Sequence, residues 1–516
     1  MTIVNEFRNI WLECADQPLL HEVQRELDYT YGDLAALAIA TAKVLQQNYA
    51  ATTAKILISM DNRVETILTY LACLHLGWVT MPVNPQLTVG EINKIIQLGQ
   101  PDLFITTDTE WQRFEGTLVG INNVLCWSEE GVLSLKQLQR PSVTEVESFL
   151  AGLEVGQLAQ LMFTSGTTGL PKTVPIKIER ILGNGKLFSQ FHQIQAGTTF
   201  YNVLPLCYLG GWYNLFLIPV LSRGKVILDD AFGPSNAYGF WDNILQYNIS
   251  AVWFSPTMLS MLLSIGVDSD FDIAKINAHI RHAFVGMAPL SRSLKQQFEQ
   301  TFGLRLLENF ALSETLFISS EHPQQKINNS VGCLLEGMEL KFRDPVTGMS
   351  HPTAGEILVR SPYMIDGYYG GLGDSAHTFD AGFFTSGDLG CIDEEGYLFI
   401  TGRKKEIIIR GGINLSPKEI EDVLYEIPAI REAAVIGVAD SHYGERVVAY
   451  LTLKDGMQLE EKAVKQHCTQ FLTLIKRPAE IIFIEEMPLN SSRKIQKSKL
   501  KEMYAQEFSP EVLSNT

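Results

Sequence analysis

A run of glycine, hydroxyl and lysine residues, FTSGTTGLPK from Phe163 to Lys172, is suited to holding an anion. Glycines let backbone N–H groups turn toward anionic oxygens, hydroxyls add donors, and Lys172 adds a mobile positive charge. The run is not a Walker A loop, because Pro171 stands where that pattern has a glycine before the lysine. It predicts a phosphate-binding loop of another kind, with an ordinary polar turn as the alternative.

The segments around this loop alternate between strand-like and helix-like patterns. Apolar runs typical of buried strands are separated by helical runs, in the order KILISM, VETILTYLACLHLG, WVTMPV, GEINKIIQLGQ and DLFITT. The same rhythm continues beyond the loop, through KVILDD, NILQYN and AVWFSP. Such alternation predicts an α/β fold with mostly parallel sheets flanked by helices.

The pattern changes after about Val331. Short strands with tight turns, DEEG and DAGF, predict hairpins and an antiparallel subdomain that ends near Gly402. After the charged run RKKE, a proline-started helix and two strands predict a compact α+β domain. The predicted division is a large domain of residues 1–403 and a small domain of residues 404–516, joined by a short charged hinge.

Composition limits the partners of the chain. With 516 residues, the chain is too long for one simple core and fits two or more domains. Its content of 46% hydrophobic and 19% charged residues is ordinary for a globular protein. The formal net charge of -17 disfavours nucleic-acid binding. Seven cysteines without a CxxC pair indicate reduced thiols and a cytoplasmic location. Neither a signal peptide nor a membrane span is expected.

Motifs spread along the chain resemble those of the adenylate-forming (ANL) superfamily, which includes acyl- and aryl-CoA synthetases, nonribosomal adenylation domains and luciferases. The resemblance spans roughly residues 25–505 and keeps the order of the family's motifs. Besides the loop, it rests on LPLCYLGG, GMAPLS, NFALSET, TSGDLG, GRKKEIIIRGGINLSPKEIE and PLNSSRKIQKSKL. It implies a large adenylation domain with a small β-barrel-like subdomain, followed by the mobile C-terminal domain.

The reaction implied by the resemblance is an AMP-forming ligation of a carboxylic acid to a thiol. ATP and the acid give an acyl-adenylate and pyrophosphate, and the acyl group then passes to CoA. Phosphate binding is assigned to Lys172 and the loop, and Mg2+ binding to Glu314. The loop ligands are Thr164, Ser165, Gly166, Thr167, Thr168 and Gly169.

The nucleotide site carried over by resemblance uses residues from two further motifs. Asp388 is expected to bind the ribose hydroxyls, with Arg403 reaching the same sugar and Ile400 nearby. Adenine is expected to pack against Phe310, beside Asn309, Ala311 and Ser313. Phe310 and Ala311 replace the tyrosine and glycine that are common in the family, so the phenol hydroxyl is absent.

Lys494 is the residue expected to bridge the substrate carboxylate and the α-phosphate. Arg493 replaces the glycine that usually precedes this lysine. Lys405 occupies the hinge position of the family, and rotation about it would replace Lys494 with the GGINLSP loop, in which Gly411 and Gly412 would line the tunnel for the thiol arm.

The acid is expected to be small, medium-sized or aromatic. Tyr208 stands where many family members have histidine, and Met287 replaces a frequent glycine, so both add bulk. The predicted acyl pocket contains Tyr208, Trp212, Tyr213, Phe254, Phe284 and Gly286. These residues could equally be core side chains.

The segment GGINLSPKEIE resembles the CoA-ligase members of the family, which favours CoA as the thiol acceptor, with the phosphopantetheine of an acyl carrier protein as the alternative. The altered motifs, at Ala311, Met287 and Arg493, leave a non-catalytic binding protein as a further alternative, and the fold leaves a luciferase-like oxygenase as another. The protein is expected to be a monomer or a homodimer.

Overall fold

The computed structural model describes residues 1–139, 141–164, 172–266, 273–324, 329–371, 378–440, 442–489 and 494–507. The helices are α1 (Ile3–Glu13), α2 (Tyr31–Asn48), α3 (Val64–Leu76), α4 (Val89–Gly99), α5 (Asp108–Phe114), α6 (Val143–Glu147), α7 (Ile178–Phe191), α8 (Ile218–Leu221), α9 (Phe240–Gln246), α10 (Pro256–Ile265), α11 (Ile273–His279), α12 (Arg292–Phe302), α13 (Pro417–Leu424), α14 (Glu461–Phe471) and α15 (Lys497–Glu507). A π-helical segment, Gly210–Leu217, runs directly into α8, and short 3-10 turns lie at Val23–Arg25, Tyr369–Gly371, Lys404–Glu406 and Leu474–Lys476.

The strands, in chain order, are β1 (Pro18–Glu22), β2 (Leu27–Thr30), β3 (Lys55–Ser59), β4 (Val79–Val83), β5 (Leu103–Thr107), β6 (Val124–Trp127), β7 (Leu158–Thr164), β8 (Lys172–Lys177), β9 (Thr199–Asn202), β10 (Lys225–Leu228), β11 (Ala251–Phe254), β12 (His282–Val285), β13 (Leu306–Leu312), β14 (Leu316–Ser320), β15 (Cys333–Leu334), β16 (Glu339–Arg343), β17 (Ser350–His351), β18 (Ala354–Arg360), β19 (Phe379–Asp380), β20 (Phe383–Ile392), β21 (Leu398–Arg403), β22 (Ile408–Arg410), β23 (Ile413–Leu415), β24 (Ile430–Asp440), β25 (Gly444–Leu453) and β26 (Glu480–Phe483).

Local sequence signals fix the ends of several helices. Thr30 and Asp33 form a capping box at the start of α2, and Thr88 and Glu91 do the same for α4. Gly77 ends α3 with a positive φ of 72°, a conformation that glycine adopts without strain. The helices predicted over VETILTYLACLHLG and GEINKIIQLGQ therefore begin and end close to where the sequence places them.

Two sheets form the large N-terminal part. The first has the order β15-β14-β13-β12-β11-β9-β10-β1-β2 and is parallel from β13 to β1; the second has the order β6-β5-β3-β4-β7-β8 and is parallel from β6 to β7. One continuous apolar cluster joins strands of both sheets to α2, α3 and α7. The predicted α/β fold with mostly parallel sheets is confirmed.

A third, antiparallel sheet follows, with the order β17-β16-β18-β20-β19 and with β21 paired to β20. It lies where the barrel-like subdomain is expected, and the turns DAGF and DEEG join β19 to β20 and β20 to β21. Both predicted hairpins are therefore present.

The C-terminal part has its own sheet, in the order β23-β22-β25-β24 with β26 beside β25. Its core packs α13 and α14 against one face and α15 against the other, so this part carries separate apolar clusters. A small α+β unit is thus present after the charged run. Within the described ranges, no helix combines the length and apolar character needed to cross a membrane.

Candidate active site

The ends of the predicted phosphate loop are neighbours in the structure. Thr164 closes β7 and Lys172 opens β8, and the two residues face each other as the last pair of this antiparallel ladder. Residues 165–171 connect them and lie outside the described residues. The predicted loop ligands Ser165, Gly166, Thr167, Thr168 and Gly169 fall in this range. Lys172 therefore stands at the base of the loop.

Tyr368 connects Lys172 to Glu314. The Lys172 ammonium donates to the Tyr368 hydroxyl at 3.4 Å and lies 4.6 Å from the centre of its ring. The same hydroxyl donates to Glu314 Oε1 at 2.8 Å. Burial, followed by the charge of Glu314, raises the pKa of Tyr368, so the phenol keeps its proton. Sequence reasoning missed this residue, because the segment DGYYG gives no sign of its distant partners.

Glu314 lies in the turn between β13 and β14, at the end of the first sheet. Asn309 on β13 donates from its side-chain amide to the Val285 carbonyl on β12 at 2.9 Å, which ties the two parallel strands together here. Among the described residues, no group of three or more histidine, cysteine, aspartate or glutamate side chains could hold a metal. Mg2+ often binds one or two carboxylates and substrate phosphates, and Glu314 fits that pattern.

Phe310, predicted to pack against adenine, and Ile400, predicted to lie near the ribose, meet in one apolar cluster. Phe310 is buried in an apolar cluster, and the half-buried Ile400 packs against the same cluster from the third sheet. Ala311 is exposed and Ser313 is half-buried. The structure therefore brings Phe310 and Ile400 together, although they are far apart in the sequence.

Asp388 and Arg403 face each other on β20 and β21. Arg403 Nε lies 2.9 Å from Asp388 Oδ1, while Asp388 Oδ2 is buried without a hydrogen-bond partner among the described residues. Burial raises the pKa of Asp388, and Arg403 opposes that rise. A buried acceptor without a partner is unfavourable until a donor arrives. The pair is therefore suited to hydroxyl groups such as those of a ribose.

Lys494 comes from the C-terminal part and reaches the same place. It precedes α15, and its charge acts on Asp388 and Arg403 of the third sheet. Although part of the side chain remains exposed, loss of surrounding water and repulsion by Arg403 lower the pKa of Lys494, whereas Asp388 raises it. Arg493 lies outside the described residues. The structure thus places the predicted catalytic lysine beside the predicted ribose site.

The predicted acyl-pocket residues separate into two groups. Gly286 lies beside Asn309 of the site, because a Cβ added to it would be 2.7 Å from Asn309 Oδ1, and Tyr208 is half-buried with a hydroxyl that accepts from Asn84 at 3.2 Å. The other four side chains are in the core. These are Trp212, against Tyr70; Tyr213, bonded to Asn184; Phe254, against Phe298; and Phe284, against Trp253.

Met287 extends the first of these groups. Its φ of 72° lies in the left-handed region, where a glycine would be unstrained, and its side chain is 39% exposed. A Cβ added to Gly210 would be 2.9 Å from Met287 Sδ, so the methionine fills the space over that glycine. Strain retained at one residue often marks a functional site.

The predicted hinge is anchored on both sides. Lys404 donates to Glu356 Oε2 at 2.9 Å on the third sheet, and Glu406 accepts from Lys497 at 2.8 Å on α15. Between them, burial and the Arg403 charge lower the pKa of Lys405. Each neighbour of Lys405 is thus fixed to a different part of the molecule.

The predicted thiol tunnel residues form the tip of the β22–β23 hairpin. Gly411 and Gly412 have φ of 58° and 79°, as a tight turn requires. Around them, Ile409, Ile413 and Tyr443 are all about half exposed. An apolar, glycine-tipped surface therefore lies on the C-terminal part.

Comparisons with known proteins agree with this arrangement. The profile of the AMP-binding enzyme family matches residues 12–369, and that of the AMP-binding enzyme C-terminal domain matches residues 419–494. The chain is 28% identical to the sulfoacetate–CoA ligase of Cupriavidus necator (94% of both chains) and 28% identical to the indoleacetate–CoA ligase of Aromatoleum aromaticum (93% of this chain and 94% of that one).

A solved structure is similar over the same length. The ATP-bound MatB of Rhodopseudomonas palustris superimposes with a TM-score of 0.86 at 26% identity, covering 99% of this chain and all of that one. The resemblance inferred from the motifs is thereby confirmed. The first family profile covers more than half of the chain, and the chain belongs to the AMP-binding enzyme family.

Proposed function

We propose that the protein activates a small or medium-sized acyl or aryl acid with ATP and Mg2+ and then transfers the acyl group to CoA. Membership of the family and CoA-ligase relatives of nearly the same length make it an AMP-forming acid–thiol ligase. The observation that carries the proposal is the meeting of Lys172, Glu314, Asp388 and Lys494, which come from four separate motifs.

In the proposed first step, a carboxylate oxygen of the acid attacks the α-phosphorus of ATP, and the bond to the β-phosphate breaks. The step brings two anions together, so positive charge at the α-phosphate stabilises the transition state. Lys494 supplies that charge beside Asp388, which holds the ribose. Lys172 lies at the base of the loop that would hold the departing pyrophosphate. Mg2+ bound through Glu314 would neutralise charge on the phosphates.

In the proposed second step, the thiol sulfur attacks the acyl carbon, the bond to AMP breaks, and the thiol proton is released. The small domain would rotate about Lys405 between the steps, removing Lys494 and bringing in Gly411 and Gly412. The anchoring of Lys404 and Glu406 to different parts of the molecule supports Lys405 as the pivot. The division into residues 1–403 and 404–516 remains part of this proposal.

The size of the acid is proposed from the residues near the site. Met287 occupies the space over Gly210, and Asn84 holds the Tyr208 hydroxyl, and we infer that both side chains limit the room for the acyl group. The core positions of Trp212, Tyr213, Phe254 and Phe284 support a smaller set of lining residues than the sequence suggests. We therefore propose Tyr208, Gly286 and Met287 as the pocket residues that limit the acid.

A screen of acids of varied length tests the proposal. The enzyme is incubated with ATP, labelled pyrophosphate and one acid at a time, with and without Mg2+; acid-dependent label in ATP is expected for small acids. No exchange with any acid would contradict the enzyme assignment and favour a binding protein. Active acids are then offered with CoA or with a holo acyl carrier protein. Thioester with the carrier but none with CoA would overturn the proposed acceptor.

A further inference from the structure

Tyr368 stands between two groups that have opposite charges and separate tasks. Its hydroxyl accepts from Lys172 at 3.4 Å and donates to Glu314 at 2.8 Å, and its ring supports the Lys172 ammonium at 4.6 Å. A hydroxyl can accept and donate at once, which a phenylalanine ring cannot. Among the described residues, Lys172 and Glu314 form no direct ion pair, so the tyrosine is what links them.

The segment that carries Tyr368 is fixed on both sides of the site. Ile365 donates its backbone N–H to the Glu314 carbonyl at 2.9 Å, which attaches the segment to the turn after β13. The Asp366 carboxylate accepts from Lys177 at 2.9 Å and from Arg180 at 2.8 Å, which attaches it to the end of β8 and to α7. The hydroxyl is therefore held in one position relative to both partners.

Holding the two charges apart has a chemical consequence. A lysine beside a carboxylate tends to form an ion pair, and such a pair would occupy the oxygens that a divalent cation needs. The Tyr368 hydroxyl takes one lone pair of Glu314 Oε1 and leaves the rest of the carboxylate for a metal. It also keeps Lys172 beside the loop, where phosphate is expected.

We propose that Tyr368 is a positioning residue that orients Glu314 toward Mg2+ and Lys172 toward the phosphates of ATP. The inference rests on the proposed function, because it concerns the same metal and nucleotide. It adds that the metal ligand Glu314 depends on the Tyr368 hydroxyl for its orientation. Loss of a side chain that hydrogen-bonds to a metal ligand commonly changes metal affinity by about 10- to 100-fold.

Tyr368→Phe tests the proposal, with Tyr369→Phe as a matched control. Tyr369 is the next residue, and its ring lies near Lys55 rather than at the site. Two quantities are measured: the Mg2+ concentration for half-maximal pyrophosphate exchange, and the affinity for ATP by calorimetry with and without Mg2+, in the absence of acid. For Tyr368→Phe we expect the Mg2+ requirement to rise about tenfold and the Mg2+-dependent gain in ATP affinity to fall by a similar factor. Tyr369→Phe should match the wild type.

One further expected result and three contrary outcomes separate the possible failures. Thioester formation from supplied acyl-adenylate, a step without pyrophosphate, should change less than about twofold in Tyr368→Phe. Equal losses in both half-reactions with an unchanged Mg2+ requirement would indicate a purely structural role and overturn the inference. An active wild type with an unaffected Tyr368→Phe variant would also overturn it. A wild type without exchange on any acid would instead refute the proposed function.

Discussion

His282 makes the stability of the nine-stranded sheet depend on pH. The side chain is buried on β12 with its ring stacked on Phe284, and its Nδ1 atom has no hydrogen-bond partner among the described residues. Burial, followed by the Arg281 charge, lowers the pKa of His282 to about 4. At the end of α7, burial and the nearby His282 and His322 lower the pKa of His192 well below 6.5.

The direction of the effect follows from proton binding. In the unfolded chain, His282 takes up a proton near pH 6.5, whereas in the folded protein it does so only near pH 4. Between these values the unfolded state binds more protons, so acid lowers the free energy of unfolding. One proton corresponds to about 1.4 kcal/mol per pH unit. His282 alone should therefore lower the free energy of unfolding by about 2 kcal/mol between pH 7.5 and pH 5. His192 adds a loss in the same direction.

Urea unfolding followed by tryptophan fluorescence at several pH values between 5 and 7.5 measures this loss. The variants are His282→Gln and, as control, His442→Gln, which replaces an exposed histidine. On acidification from pH 7.5 to pH 5, we expect the free energy of unfolding of the wild type to fall by about 2 kcal/mol more than that of His282→Gln, because only the wild type has this proton to bind. The control should keep the wild-type pH slope. Equal slopes for wild type and His282→Gln would refute the reasoning.

Three further predictions concern the reaction. Lys494→Ala should slow pyrophosphate exchange by at least about 100-fold, because the charge at the α-phosphate is lost; equal loss of thioester formation from supplied acyl-adenylate would contradict this role. Lys405→Pro, which restricts rotation at the pivot, should impair thioester formation more than exchange, and the reverse order would contradict the hinge assignment. Met287→Gly should raise kcat/KM for acids longer by one or two methylenes by about tenfold. Gln193→Gly is the control, because Gln193 is another exposed residue with a positive φ, and it should leave the acid preference unchanged. A Met287→Gly variant with the acid preference of the wild type would contradict the pocket proposal.

Much of the fold could be predicted from the sequence because its patterns are local. Strand and helix runs such as KILISM and VETILTYLACLHLG carry their own periodicity, and turns such as DEEG fix the pairing of adjacent strands. Asp388 and Arg403 were assigned to the ribose by the family resemblance, and the structure pairs them across one hairpin. The motifs carried over by resemblance supplied the remaining long-range information, such as the placing of Lys494 near Asp388.

The sequence could not show which apolar strand residues line the acyl pocket and which belong to the core. Both faces of a parallel sheet are buried, so an apolar residue such as Phe254 or Phe284 gives no sign of whether it meets the core or a ligand. Tyr368 was missed for a different reason. Its partners lie 54 and 196 residues away, and only the packed segment around Ile365 and Asp366 brings them together.

The two anchors at the hinge have a consequence for the timing of the reaction. Lys404 belongs to the third sheet through Glu356, and Glu406 belongs to α15 through Lys497, so turning at Lys405 need break neither contact. In the proposed mechanism, Lys494 and the glycine-tipped hairpin both belong to the C-terminal part and cannot occupy the site together. The acyl-adenylate would therefore meet the hairpin, and the thiol that it would guide, only after the C-terminal part has turned.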